Sequence, residues 1–278
     1  ELKPEWIAVD RRPAVPRAWA MRGATVLDER PVAGALDTVI GDWLAAGAGD
    51  IVQSGEPVEL TPVPAAPGKL VPQPGGDLSG ARCWTLPGLT QSAPVDLMCG
   101  AETTIAGFLS LNPNWDGVIC LPGTHTKWVR IAAGRVETFR TAMTGELFDL
   151  LATRSTLSVF AAGDWDDTAF DAAVAGAVQG PGALAADLFG LRAAALLDGA
   201  SAAATRARLS GRLIGQEVAA LRPMWQDRRV TLVADDMLGD LYHRALSAAG
   251  QESERRGAGD LTLAGLRLAR DTYPEDRL

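Results

Sequence analysis

The six residues Pro122–Lys127 carry a glycine, two threonine hydroxyls, an imidazole and an ammonium group. Hydroxyl and N–H donors can point at the oxygens of an anion, and a lysine adds the opposite charge. The segment therefore predicts a turn that binds phosphate. A polar surface turn whose His125 caps a strand would use the same residue types, and from the residues alone both interpretations stay open.

Regular elements on both sides would hold this turn in place. An apolar run, Val118–Leu121, precedes it, and two segments of alternating polarity follow it, Trp128–Ala132 and Arg135–Ala142. A helix is expected to begin at Thr144. The pattern predicts a strand, a tight turn, a β-hairpin and a helix start in succession.

The rest of the chain is expected to be rich in strands first and in helices later. The apolar strand Val230–Ala234 leads into Asp235 and Asp236, where a ligand edge is conceivable. On the residues alone, an ordinary strand-to-helix turn with an aspartate cap is favoured there. No internal repeat is visible, and the order of elements predicts an α/β fold. The further expected strands are Trp6–Val9, Arg17–Met21, Thr25–Glu29 and Glu252–Arg256. The expected helices are Leu36–Ala46, Asp96–Leu111, Thr144–Ala152, Thr168–Ala177, Leu184–Leu197, Thr205–Leu221, Leu238–Ala249 and Thr262–Ala269. The stretch Ala65–Gly76 is expected to be irregular or edge structure.

Composition narrows the class of protein. The 278 residues are 47% hydrophobic and 22% charged, which is typical of a globular protein with one large or two smaller domains. A net charge of −8 argues against a nucleic-acid surface. Three widely spaced cysteines without a C-x-x-C pair favour a reducing compartment, and two histidines argue against structural zinc. The N-terminus does not resemble a signal peptide, and the tract Ala183–Ala204 is too interrupted by charges to span a membrane. These features predict a soluble cytoplasmic protein.

Six segments of the chain carry a resemblance to a known family. They are PGTHTKW at Pro122–Trp128, FRTAMTGEL at Phe139–Leu147, LSGRLIGQEV at Leu209–Val218 and VTLVADDMLGDLYHRAL at Val230–Leu246, with weaker support from RAW at Arg17–Trp19 and MCGAET at Met98–Thr103. In their order along the chain, these segments resemble the 2-dehydro-3-deoxygalactonokinase family of the sugar-kinase/Hsp70/actin superfamily. The resemblance implies two ribonuclease-H-like (actin-like ATPase) α/β domains with ATP in the cleft between them. The division would place residues 1–110 in an N-terminal domain on the sugar side and residues 111–278 in a C-terminal domain on the nucleotide side.

The activity implied by the resemblance is Mg²⁺- and ATP-dependent phosphorylation of the 6-hydroxyl of 2-dehydro-3-deoxy-D-galactonate. The partners would be a small sugar acid and a nucleotide, with no nucleic acid and no membrane, and a homodimer is allowed. The second phosphate turn would consist of Gly123, Thr124, His125 and Lys127. Adenosine would lie at Ala234, Asp235 and Asp236, where the usual glycine is absent.

The same resemblance suggests which residues would act on the substrate. Asp10 would hold Mg²⁺, directly or through water. Glu102 and Glu146 are the candidates for orienting or deprotonating the sugar hydroxyl, and Thr144 and Gly145 would face the substrate with them. Each carboxylate has a plainer interpretation, since Asp10 could end a strand and both glutamates could complement a helix dipole.

The chain departs from the family pattern where the first phosphate loop should lie. Arg11–Pro16 reads RRPAVP, which has no glycine and no hydroxyl, and its prolines donate no N–H. The segment Asp50–Pro62 lacks the family's glycine-rich stretch, and Cys99 replaces an arginine in MCGAET. Three explanations are open: a degenerate paralogue that binds sugar acid without turnover, an enzyme with an altered loop, or an error in the recorded sequence, which is favoured for Arg11–Pro16.

Overall fold

The computed structural model describes residues 3–12, 16–56, 59–180, 182, 184–234 and 237–272. The described residues form two compact units. Unit 1 is drawn from Glu1–Asp116, Ile131–Phe139 and Ala258–Leu278, and unit 2 from Gly117–Arg130 and Arg140–Gly257. The C-terminal helix thus belongs with the N-terminal part of the chain, so the units are not two successive stretches. The predicted domain division between residues 110 and 111 stays a prediction.

Strands dominate the chain up to Ala142, and helices dominate it from Thr144 onward. The strands are β1 Trp6–Asp10, β2 Arg17–Arg22, β3 Thr25–Pro31, β4 Asp50–Ser54, β5 Leu60–Pro62, β6 Gln73–Leu78, β7 Ala81–Thr85, β8 Gly88–Ser92, β9 Val95–Met98, β10 Gly117–Leu121, β11 Thr126–Ala132, β12 Arg135–Ala142, β13 Val230–Val233 and β14 Glu254–Arg256. The helices are α1 Leu36–Val39, α2 Gly41–Ala45, α3 Ala101–Leu111, α4 Thr144–Arg154, α5 Asp167–Gln179, α6 Leu184–Leu197, α7 Ala202–Ala220, α8 Arg222–Trp225, α9 Met237–Ala248 and α10 Ala258–Arg270. Among these described helices, none combines the length and apolarity needed to cross a membrane.

The two main sheets share the order of their first four strands. The first runs β3-β2-β1-β4-β7-β6, and the second runs β12-β11-β10-β13-β14. In the first sheet β1 pairs antiparallel with β2 and parallel with β4, and in the second β10 pairs parallel with β13, which pairs parallel with β14. A third sheet, β5-β8-β9, is small. Because ligands in such sheets collect at the carboxyl ends of strands, the ends of β1 and β10 are the places to examine for a site.

In unit 1, both faces of the first sheet are covered. Ile7 and Val9 pack with Trp43 on one face, and Trp6 and Ala8 pack with Leu266 of α10 on the other. This explains why β1 is fully buried and reads as a continuous apolar run rather than an alternating one. The close packing of α10 on α3 fixes the start of α3, which carries one of the candidate residues.

In unit 2, Val118 and Cys120 of β10 and Leu232 of β13 pack against α5, α7 and α9. Helices α5 and α7 approach closely because Gly211 and Gly215 have no side chain. A Cβ on Gly211 would lie 2.7 Å from the carbonyl oxygen of Phe170. Such a contact is possible only with glycine, so this helix pair is specified by sequence as well as by hydrophobic burial.

Most predicted elements are confirmed within a few residues, and three predictions need correction. The expected helix Asp96–Leu111 is wrong at its start, because Val95–Met98 forms β9, which pairs antiparallel with β8, and the helix begins only at Ala101 after Gly100, whose φ is 96°. The expected helix Leu36–Ala46 is divided at Ile40 into α1 and α2. The stretch Ala65–Gly76 is not wholly irregular, since it contains a 3-10 turn and the start of β6.

Candidate active site

Asp10 is the last residue of β1, and its carboxylate is 4% exposed. Arg12 binds both of its oxygens. The Nε of Arg12 donates to Oδ1 at 3.1 Å, its Nη2 donates to Oδ2 at 2.9 Å, and the backbone N–H of Arg12 also donates to Oδ1 at 3.1 Å. The two residues therefore form a largely buried, bidentate ion pair, the strongest geometry for such a contact.

Glu102 lies in the first turn of α3 and is fully buried. Its Oε1 accepts a hydrogen bond of 2.6 Å from the N–H of Gly100, whereas Oε2 has no partner among the described atoms. Burial raises the pKa of Glu102 to about 7, against opposing effects of the N–H groups of Glu102 and Gly100 and of the Arg12 charge. A buried carboxylate with one unsatisfied oxygen and a pKa near neutrality has the properties of a general base.

Unit 1 brings Asp10 and Glu102 to one place, although they lie on different elements. Arg12 connects them: it binds Asp10, and a Cβ on Gly100 would overlap its side chain. Its Nη2 also donates to Thr262 Oγ1 at 2.7 Å. Asp10 and Glu102 are therefore both neighbours of the Arg12 side chain within this unit.

Asp10 does not fit the direct metal role that the resemblance implies. Mg²⁺ needs carboxylate oxygens that are free to coordinate it, and here a guanidinium already holds both. Nor does the described part of the chain contain a group of three His, Cys, Asp or Glu side chains that could hold a metal ion.

The predicted phosphate turn lies at the end of β10 in unit 2. Thr124 and His125 are exposed, and Gly123 is half-buried. The carbonyl oxygen of Thr124 accepts a hydrogen bond of 3.0 Å from the N–H of Glu146, and His125 Nε2 lies 2.6 Å from Glu146 Oε2. The turn and the first turn of α4 are thus bonded through both backbone and side chains.

Gly145 allows this close approach. A Cβ at this position would overlap the carbonyl oxygen of Gly123 and lie 2.8 Å from the Cα of Thr124. The N–H of Glu146 is used by Thr124, so it is not available to an anion in this arrangement. Of the two candidate bases, Glu146 is also paired with His125, and Glu102 alone keeps a buried oxygen without a partner in the described structure.

Lys127 extends from β11 rather than from the turn itself. It is half-buried, and its Nζ donates to Thr141 Oγ1 on β12 at 2.7 Å. Thr126 and Trp128, its neighbours along the strand, are buried on the opposite face. The strand period therefore separates the charge of Lys127 from the residues that anchor the turn.

A buried carboxylate that the sequence did not single out anchors these residues. Glu217 of α7 accepts hydrogen bonds from Trp128 Nε1 at 2.6 Å and from the Tyr242 hydroxyl at 2.7 Å. The Tyr242 hydroxyl lies 2.8 Å from Thr126 Oγ1, and Thr144 also bonds to Glu217. Burial raises the pKa of Glu217. Its only sequence signal is a glutamate on an otherwise apolar helix face.

An apolar cavity of about 120 Å³ lies beside this anchor in unit 2. Helices α4, α7 and α9 supply most of its walls, and Thr144 and Gly145 form the edge that adjoins the turn. Arg206 lines it with its guanidinium 5.0 Å from the ring of Phe148. The walls are mainly apolar, with Thr144, Arg206 and Ser210 among the polar lining residues, so the cavity suits a small apolar group.

The predicted adenosine residues lie at the end of β13. Ala234 is half-buried, its N–H donates to the carbonyl oxygen of Arg256 at 3.1 Å, and Gly239 of α9 packs against it. Asp235 and Asp236 lie outside the described residues. The assignment of roles to all these site residues stays a prediction.

The fold is the α/β fold of actin-like ATPases and sugar kinases, as the resemblance led us to expect. A family model described as 2-keto-3-deoxy-galactonokinase matches residues 7–269. The chain belongs to this family.

Individual relatives agree with the family model. The chain is 42% identical over 194 residues to a Rhizobium meliloti protein named "Probable 2-dehydro-3-deoxygalactonokinase DgoK1", and 34% identical over 193 residues to the 2-dehydro-3-deoxygalactonokinase of Escherichia coli. These matches cover 66% and 68% of this chain but only 62% and 65% of the two relatives. A crystal structure from Sinorhizobium meliloti, whose description assigns it provisionally to the same kinase, superposes with a TM-score of 0.88 at 33% identity, covering 97% of this chain and 99% of that one.

Proposed function

We propose that the protein is an ATP-dependent kinase that phosphorylates the 6-hydroxyl of 2-dehydro-3-deoxy-D-galactonate. The family membership supports this substrate class. The observation that carries the proposal is that the polar turn and the apolar cavity of unit 2 meet at Thr144 and Gly145. A nucleotide needs both kinds of surface next to each other, donors for its phosphates and apolar walls for its base.

In this proposal unit 2 binds ATP. Gly123, Thr124 and His125 would contact the terminal phosphates, with Lys127 adding charge, and Ala234 and Asp235 would lie near the adenosine. The hydrogen bond from Glu146 to Thr124 and the Glu217 anchor support it, because they hold the turn in one conformation before ligand arrives. Phosphoryl transfer depends mainly on positioning and charge, so a preformed turn favours catalysis.

Unit 1 would supply the base. Glu102 Oε2 can accept the proton of a sugar hydroxyl, and a pKa of about 7 places that exchange near neutral pH. Thr144, Gly145 and Glu146 are proposed to contact the substrate as well, and Glu146 is the second candidate base. Mg²⁺ is proposed as the cation that accompanies ATP and neutralises its phosphates.

A coupled assay with ATP and 2-dehydro-3-deoxygalactonate tests the proposal. Glu102→Gln keeps the acceptor for Gly100 but removes the base, so kcat should fall by roughly 10²- to 10⁴-fold. Glu146→Gln tests the second candidate base and should lower kcat by much less, because that carboxylate is already paired with His125. Glu29→Gln is the matched control, since Glu29 pairs with Arg17 at the surface, and it should leave kcat unchanged. Sugar-acid binding without turnover by the unmodified protein would instead identify a non-catalytic paralogue. The cytoplasmic location and the homodimer stay predictions.

A further inference from the structure

Arg12 is fixed on Asp10 by more contacts than a surface arginine makes. Besides the two guanidinium bonds and the backbone bond to Asp10, its Nη2 donates to Thr262 Oγ1 at 2.7 Å. Thr262 Oγ1 in turn lies 2.8 Å from Thr104 Oγ1, within the packing of α10 on α3. These bonds join residues that are far apart in sequence, so the position of the guanidinium is set by the folded unit.

The aliphatic part of the Arg12 side chain packs closely against two glycines. A Cβ on Gly100 would overlap its Cγ and Cδ, and a Cβ on Gly55 would lie 3.1 Å from its Cγ. Both glycines have positive φ, 96° at each, a conformation that other residues rarely adopt. The chain therefore provides a built cavity for this side chain, and the arginine is 23% exposed at its side chain.

The guanidinium stands where a cation bound to Asp10 would have to stand. A metal that approached Asp10 would meet a fixed positive charge, and the carboxylate oxygens already accept three hydrogen bonds between them. Mg²⁺ coordinates oxygens in a near-ideal octahedron at about 2.0–2.1 Å and loses its waters reluctantly. Because Arg12 engages both oxygens of Asp10, Mg²⁺ cannot use them as ligands while the arginine is in place.

We infer that Arg12 takes the place of a metal ion on Asp10, so that this carboxylate binds no divalent cation. One part of this inference rests on the proposed function: any divalent cation that the protein uses arrives with the nucleotide. Asp10 and Arg12 then form a permanent ion pair, and this pair prevents metal ions from binding to the carboxylate at the end of β1.

The test measures Mn²⁺ binding to the full chain by electron paramagnetic resonance, first without nucleotide. The unmodified protein should show no saturable binding. Arg12→Ala should gain it, because the mutation frees Asp10 and leaves space beside Glu102 and Thr262. Arg11→Ala is the matched control, since Arg11 carries the same charge but bonds to Gln53 and Glu56 instead. The double variant Asp10→Asn/Arg12→Ala should lose what Arg12→Ala gains.

Each outcome decides the inference. Saturable Mn²⁺ binding by the unmodified protein that Asp10→Asn abolishes would overturn it, and so would a folded Arg12→Ala protein that binds no Mn²⁺. Arg12→Met, which keeps most of the aliphatic stem, replaces Arg12→Ala if the latter does not fold. A second set with ADP present tests the nucleotide separately: if the unmodified protein binds Mn²⁺ neither with nor without ADP, the proposed kinase function loses support while the inference about Asp10 stands.

Discussion

Replacing Gly145 by alanine tests whether the close contact between the turn and α4 matters. The new Cβ would overlap the carbonyl oxygen of Gly123 and lie 2.8 Å from Thr124 Cα, and both obstacles are backbone atoms that cannot rotate away. Such overpacking costs about 1–3 kcal/mol. The hydrogen bond from the Glu146 N–H to Thr124 would be strained or lost, at about 1 kcal/mol. Alanine regains up to about 1 kcal/mol of helix propensity.

The balance is a loss of about 2 kcal/mol. For a chain of this size it corresponds to a decrease of roughly 4–8 °C in the apparent unfolding temperature, measured by calorimetry. Because the turn would shift, ADP affinity measured by titration calorimetry should also fall, on the order of tenfold. Gly123→Ala is the control for stability: its Cβ would meet nothing within 4 Å. If Gly145→Ala unfolds at the same temperature as Gly123→Ala and the unmodified protein, and binds ADP as tightly as the unmodified protein, the contact does not shape the turn.

Three further predictions concern stability. Gly265→Ala, whose Cβ would overlap the backbone of α3, should lower the free energy of unfolding in urea by about 3 kcal/mol, whereas Gly190→Ala on the open face of α6 should change it by less than about 1 kcal/mol. Tyr242→Phe removes a donor from buried Glu217 and should lower it by about 1–3 kcal/mol. The pKa of Glu102 rises from its ordinary 4.5 to about 7 on folding, so the folded state holds this proton more tightly than the unfolded state. The free energy of unfolding should therefore fall by about 3 kcal/mol as the pH rises from about 4.5 to about 7. In Glu102→Gln this pH dependence, measured from pH 4 to 8, should disappear.

The part of the fold that is local in sequence could be predicted. The succession of β10, turn, β11, β12 and α4 follows from an apolar run, two alternating segments and a change of period, and the structure shifts its bounds by no more than two residues. Its hairpin closes at Ala133 and Gly134, which both have positive φ, as a two-residue turn requires.

The errors arose where tertiary pairing decides the structure. The stretch Val95–Met98 was compatible with the first turn of a helix, and only its pairing with β8 makes it a strand. Similarly, no sequence repeat reveals that the two main sheets share the order of their first four strands. The repeat lies in how strands connect and pair, which different apolar side chains can satisfy equally well.

Two parts of the candidate site could not be predicted from the sequence because they depend on long-range contacts. The bond between Arg12 and Thr262 spans 250 positions, and the Glu217 anchor joins β11, α4, α7 and α9. A sequence shows such residues only as a polar group in an apolar context, and that signal does not name the partner.

Strands β1 and β10 are the first strands of the two main sheets, and the residues that follow them differ in chemical character. After β10 the chain offers a turn with hydroxyls and a glycine, which suits an anion, and after β1 it offers a buried carboxylate neutralised by an arginine. A buried charge without its partner is costly, so Asp10 and Arg12 have to be kept or changed together. Arg11 is also engaged, with Gln53 and Glu56. Intact-protein mass separates an altered loop from an error in the recorded sequence, because a mass equal to that of the printed sequence would remove the error. If the turn after β10 binds the phosphates as proposed, Arg12 supplies charge balance beside Asp10 and Glu102 and not a phosphate contact.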